Sequence, residues 1–179
     1  MAEGAGALVL ESLDAAQSRG AKILGVIAGC GELADTFHRT RPKPDGVPIA
    51  DCIRNAIADA SMTFDQIDYI NAHGTCTPEN DKMEYLGAAA VFGDHARKIP
   101  VSSNKSMIGH TLSAAGIIEA VFTLLTLEHQ RIPPTINYGV PDPAIPFDVV
   151  PNNARDAGRY RNVELVRLRR PKCIAHHTT

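Results

Sequence analysis

The sequence predicts an α/β protein with a sheet covered by helices on both faces. Short apolar runs rich in Ile and Val alternate along the chain with longer stretches of helical period. The chain has 179 residues, 44% hydrophobic and 21% charged, which suits one soluble domain with a substantial core.

Residues 5–10 form a short apolar run of the buried-strand type, and residues 11–19 suit a short helix stopped by Gly20. Residues 22–28 read as the next strand. Residues 36–47 carry Pro, Gly and basic side chains and predict a surface loop. Its cluster Arg39, Arg41 and Lys43 suits solvent, or contact with an acidic carrier or a phosphate. Helical spacing over 49–61 places Ile49, Ile53, Ile57 and Ala58 on one face. A strand over 65–72 runs out at His73, and Thr77-Pro78 is a start signal for a helix over 79–92. Residues 99–102 form a short strand. The clearest helix spans 112–128, where apolar residues leave almost no polar face and predict burial on most sides. Pro133-Pro134 closes this region, and residues 140–153, with four prolines, predict irregular chain.

A net charge of -2 gives no reason to expect a nucleic acid or an anionic membrane as partner. No apolar run reaches membrane-spanning length, and the N-terminal residues lack the basic-then-apolar order of a signal peptide. Cys30, Cys52, Cys76 and Cys173 are scattered, without metal-ligand or pairing spacing, which suits a reduced, cytoplasmic protein.

Two segments carry chemistry. Asn71-Ala72-His73-Gly74-Thr75-Cys76-Thr77-Pro78 puts a histidine where a strand runs out, the end at which open α/β sheets collect ligands. Thr75 and Thr77 add hydroxyls beside it. An isolated histidine there is more often a hydrogen-bonded turn residue than a catalyst, and two further features shift the weight. Ser103-Asn104-Lys105-Ser106-Met107-Ile108-Gly109-His110 brings a second imidazole to the start of the apolar helix, where the positive helix end favours a neutral ring. Glu119 is a lone carboxylate inside that helix and needs a partner, for which Lys105 is the best candidate. Cys76 and His73 alone cannot form a tetrahedral metal site.

These segments resemble the C-terminal half of a β-ketoacyl-acyl-carrier-protein synthase of the elongating type, over about residues 3–159. The family motif Asn-Ala-His-Gly-Thr-x-Thr-Pro fits 71–78 and Ser-x-Lys-Ser-x-x-Gly-His fits 103–110. Glu119, Asp81-Lys82-x-Glu84, Val91-Phe92-Gly93, the run Pro133-Pro134-Thr135-Ile136-Asn137 and Pro141-Asp142-Pro143 follow the family's pattern as well. The resemblance implies half of a thiolase-like fold, with a mixed sheet in an α-β-α sandwich. It implies that His73 and His110 hold the thioester carbonyl of malonyl-carrier, promote decarboxylation and stabilise the enolate. Lys105, paired with Glu119, would fix the site and its charge balance, and Thr75 and Thr77 would contact the phosphopantetheine arm. No cofactor is expected beyond that arm, which belongs to the acyl carrier protein. The implied partners are acyl carrier protein and a complementary N-terminal half, or a homodimer as in the intact family.

Two departures qualify this. Residues 1–20 match only the end of the family's first half, which holds the attacking cysteine, so the chain is expected to be inactive in condensation by itself. Residues 21–160 match the second half. Residues 161–179 lack the family's closing Ser-Asn-Ser-Phe-Gly-Phe-Gly-Gly-x-Asn segment. One permitted coding of residues 162–176, read from its second base, spells Thr-Ser-Asn-Ser-Phe-Gly-Phe-Gly-Gly-Pro-Asn-Ala-Ser-Leu-Ile, which points to a frameshift between Ala157 and Asn162. With Arg167, Arg169, Arg170 and Lys172, this tail is not expected to take a central place in the sheet. Two rival readings are a non-catalytic subunit that pairs with a cysteine-bearing half, and a small metal-binding module, which the ligand count disfavours.

Overall fold

The computed structural model describes residues 1–39 and 41–158 with their side chains, and the backbone of 162–167 and 172–177. The elements are α1 (Leu13–Ser18), β1 (Val26–Glu32), α2 (Val47–Asp59), β2 (Tyr69–Asn71), α3 (Pro78–Phe92), β3 (Pro100–Ser102), α4 (Lys105–Ile108) and α5 (Ala115–His129), followed by β4 (Arg131–Ile132), β5 (Asp148–Val149), β6 (Arg155–Asp156), β7 (Asn162–Arg167) and β8 (Lys172–His177). The main sheet has the order β1-β8-β7-β2-β3-β5. β8 is antiparallel to both neighbours, while β7, β2, β3 and β5 run parallel, so the sheet is mixed. β4 and β6 pair separately.

β2 shows why the sheet is covered twice. Side chains alternate across a strand, and Ile70 joins the core made with Ile49, Ile53 and Ile57 of α2 and Met83, Ala88 and Val91 of α3. Its neighbour Tyr69 packs with Leu127 of α5, and Asn71 donates to the Glu119 carbonyl and the Thr123 hydroxyl of that helix. Helices α2 and α3 therefore lie on one face and α5 on the other, an α-β-α sandwich. β1 reaches α2 through Gly29 and Gly31, where an added Cβ would fall 2.4 Å from the Ala56 carbonyl oxygen and 2.1 Å from that of Cys52.

Several expectations are corrected. Residues 5–10 belong to no strand; the exposed N-terminal stretch runs along α5, with Gly4 against Ile118 and Gly6 against Ile117. The strand expected over 22–28 is shifted to β1, and that over 65–72 shrinks to β2 after a 3-10 turn at Phe64–Gln66. Ala56, not Ala58, completes the buried face of α2. The helix expected to be buried on most sides begins with a 3-10 turn at Leu112–Ala114, and the residues α5 buries are Ala115, Glu119, Ala120, Thr123, Thr126 and Leu127. Ile117, Ile118, Val121, Phe122 and Leu124 are only half-buried, and Leu125 is exposed. Against the expectation that no apolar run reaches membrane-spanning length, Leu112–His129 is long and apolar enough to cross a bilayer by length and composition alone, with a mean hydropathy of 1.3. Glu119 and its ion pair make it a core helix of this sandwich. The tail is the sharpest correction. The backbone of β7 and β8 lies between β1 and β2 in the sheet, and Arg167 and Lys172 stand opposite one another at the last register position of the pair. These two basic residues thus fall at strand ends, not along the middle of a strand.

Candidate active site

β2 and β3 end side by side, and the chain leaves both toward one cavity of ≈ 770 Å³. His73 follows β2, and its loop is held from α3. Glu84 accepts the His73 amide on Oε1 and the Gly74 amide on Oε2, each at 2.8 Å, and Asn80 Nδ2 on Oε2 at 2.8 Å. Burial pushes the Glu84 carboxyl up to about 7, against the pull of those three donors toward the ionised form. α3 can start directly after the loop because Pro78 occupies its first turn and Glu79 and Asp81 meet the positive helix end.

His110 arrives through α4 and Gly109, which has φ +74 and lets the chain turn sharply between the two helices. His110 Nδ1 accepts the Leu112 amide at 3.0 Å. That bond defines the tautomer: with Nδ1 an acceptor, the ring is neutral and carries its proton on Nε2. The sequence placed this ring at the N-terminus of the apolar helix, and the structure sets it one 3-10 turn earlier. The His73 and His110 rings lie 5.4 Å apart between centroids, at 87°. His73 is buried, while Ala72, Gly74 and His110 line the cavity.

Lys105 and Glu119 meet as a buried ion pair, with side chains 5% and 1% exposed. Thr75 and Thr77 line the same cavity, with their hydroxyls 3.1 Å apart. Cys76 sits between them at a corner of φ 59 and is exposed. His73, Thr75, Thr77, Lys105, His110 and Glu119 are therefore gathered at one end of the sheet, while Arg39, Arg41 and Lys43 do not line the cavity. Among the described residues, no three His, Cys, Asp or Glu side chains are grouped to hold a metal ion.

Sequence reasoning gave no role to Glu84, Ser103, Ser106 or Thr135. Ser103 Oγ donates to the Gly74 carbonyl, the Ser103 amide to Thr135 Oγ1, and the Ile136 amide to Ser106 Oγ. Glu84 is buried on α3 beside Met83, and the donors around it offset the cost of burying its carboxyl.

Solved structures similar to this one include ketosynthases. A chain from a complex of a type II polyketide acyl-carrier protein with its ketosynthase superposes with a TM-score of 0.91 at 35% identity, covering 94% of this chain and 42% of that one. A chain of the ishigamide ketosynthase/chain length factor gives 0.88 at 39%, covering 94% and 41%. The fold is that of one half of a thiolase-like ketosynthase. The family model "Beta-ketoacyl synthase, C-terminal domain" matches residues 24–139. The chain is 44% identical over 156 residues to 3-oxoacyl-[acyl-carrier-protein] synthase 2 of Coxiella burnetii, and 45% identical to that of Staphylococcus aureus. These alignments cover 87% of this chain but 38% and 39% of the two relatives. The chain belongs to the β-ketoacyl synthase family and carries its C-terminal domain.

Proposed function

We propose that this chain is the C-terminal half of a β-ketoacyl-acyl-carrier-protein synthase of fatty-acid synthesis, and that its histidines run the malonyl half of the condensation. The observation that carries the reading is the pair of perpendicular imidazoles 5.4 Å apart, backed by the buried Lys105–Glu119 pair. In a malonyl thioester the bond to the terminal carboxylate breaks, carbon dioxide leaves, and the electron pair develops as an enolate on the thioester oxygen. Neutral imidazole N–H groups aimed at that oxygen stabilise the charge as it forms. His110 suits this because its proton lies on Nε2. Lys105 and Glu119 keep the surrounding charge balanced, and Thr75 and Thr77 contact the phosphopantetheine arm of the acyl carrier protein. That arm brings the substrate, and no further cofactor is needed. The reaction belongs in the cytoplasm.

The acyl group needs a thiolate to carry it. Among the described side chains, Cys30 is exposed on β1, Cys52 donates to the Gly31 carbonyl and Cys76 is an exposed corner; we assign the nucleophile to a complementary N-terminal half. The second reading, a non-catalytic subunit, draws on the ketosynthase–chain length factor complexes among the structural neighbours. The presence of His73, His110, Lys105 and Glu119 together favours the catalytic reading. The test is carbon dioxide release from malonyl-carrier by the full chain, which His73→Ala and His110→Ala should each lower by roughly a hundredfold. Equal release by wild type and both variants refutes the site. With acyl-carrier also present, ketoacyl product is expected only once the complementary half is added. Condensation by the chain alone that disappears in Cys76→Ala would refute the assignment of the nucleophile.

A further inference from the structure

Beyond the last paired residues of β2 and β3, one side chain continues the ladder. Asn71 stands opposite Ser102, and the Ala72 amide donates to the Ser102 carbonyl at 2.9 Å. From there one strand leads into His73-Gly74 and the other into Ser103-Asn104-Lys105. The Ser103 hydroxyl crosses between them and donates to the Gly74 carbonyl at 2.9 Å. The approach is so close that a Cβ at Gly74 would fall 2.4 Å from Ser103 Cβ, and Gly74 has φ +43. Ser103 is buried, and its backbone is engaged as well. Its amide donates to Thr135 Oγ1 at 3.0 Å, and its carbonyl accepts the Ser106 hydroxyl at 2.9 Å.

We infer that Ser103 is a positioning residue, which locks the His73 loop to the segment leading through Lys105 to His110 and so keeps the two imidazoles in one mutual orientation. Glu84 fixes the amides of His73 and Gly74 to α3, the helix that follows them. That tether says nothing about where the second histidine lies. Ser103 fastens the Gly74 carbonyl of the same loop to the chain that delivers His110. The requirement for glycine at 74 follows: any side chain there would push the loop off this serine. The inference rests on the decarboxylating role proposed above for the two histidines.

The test is nuclear magnetic resonance on the ¹⁵N-labelled full chain, combined with carbon dioxide release from a malonyl-pantetheine thioester. Ser103→Ala removes the bond to the Gly74 carbonyl, so the loop should open more readily and the Gly74 amide, which Glu84 holds, should exchange roughly fivefold faster, the factor expected for one ordinary hydrogen bond. The substitution should also move the titration midpoint of the His73 ring, and lower kcat while leaving KM unchanged. Ser103→Thr, which keeps the hydroxyl, should restore all three. A folded Ser103→Ala protein with unaltered Gly74 exchange and His73 titration overturns the proposal. If Ser103→Ala does not fold, Ser103→Cys decides: its weaker donor must give faster Gly74 exchange and a moved His73 midpoint, and wild-type values overturn the proposal. The resonance measurements need no turnover. Absence of carbon dioxide release from every protein would count against the functional reading alone, while exchange and titration still decide the role of Ser103.

Discussion

Replacing Glu84 by glutamine should remove a pH dependence from the stability of this fold. Glu84 is buried, and its carboxyl is raised from 4.5 to about 7, first by desolvation and only partly offset by the amides of Gly74 and His73 and by Asn80. Between those two pH values the native state holds a proton that the unfolded chain has released. Unfolding then releases a proton, so stability falls as pH rises. The contribution is fully present below pH 4.5 and is lost as pH rises through about 7. At about 1.4 kcal/mol per unit, the shift is worth roughly 3 kcal/mol across that window. A glutamine side chain does not titrate, so the Glu84→Gln variant lacks this loss. The assay is urea unfolding of wild type and Glu84→Gln from pH 4.5 to 8, followed by far-ultraviolet circular dichroism. Other titrating groups cancel in the difference between the two proteins. The difference should change by roughly 3 kcal/mol, in favour of the variant as pH rises. Parallel curves would refute the argument. Activity should move the other way: one carboxylate oxygen becomes an NH₂ group facing an amide donor, so the His73 loop shifts and carbon dioxide release falls.

Three more outcomes are expected. Lys105→Met leaves the Glu119 carboxylate buried without its cation and should cost about 3–5 kcal/mol; adding Glu119→Gln should recover a large part of this, and strictly additive losses in urea unfolding would show that the pair is not coupled. The half-buried outer side of α5, with Leu125 at 42% exposure, should drive self-association; Leu125→Lys should shift sedimentation toward the monomer, and a monomeric, cooperatively unfolding wild type would count against it. Sequencing the gene should reveal an altered reading frame between the codons of Ala157 and Asn162; a chain with the frame restored should unfold at a higher temperature, without gaining condensation activity.

How far the sequence could be read follows from the range of each interaction. His73, His110, Thr75 and Thr77 were legible because their loops are written out in consecutive residues. The Lys105–Glu119 pair was legible because a carboxylate inside an apolar helix demands a cation, and the loop feeding that helix offered one. Glu84 was not assigned, since it reaches back from α3 to amides that precede the helix, and an acidic residue in the second turn of a helix ordinarily suggests solvent. α5 was misjudged because hydropathy counts apolar residues without saying which neighbour covers them; much of its inner face is Ala, Thr and Glu. In the tail, the summed charge of the segment misleads because what matters is position: Arg167 and Lys172 lie at the ends of the two strands.

The division of labour within the site follows from the sheet. Parallel strands aligned by backbone hydrogen bonds fix where β2 and β3 stop, at Asn71 and Ser102. They cannot fix the next residues, because each loop turns through a left-handed glycine, Gly74 in one and Gly109 in the other. Such corners are permissive, and permissive backbone costs entropy to hold still. The structure supplies the order with side chains instead: Glu84 on two amides, Ser103 on a carbonyl, and His110 on the Leu112 amide. Three of these four bonds end on backbone atoms of His73 or Gly74, so that loop is fixed through its main chain. The fourth uses the Nδ1 of His110 and thereby sets which nitrogen can donate. A site built this way commits its buried polar groups to aiming two rings, which is what the proposed decarboxylation would need, since its charge appears only as carbon dioxide departs.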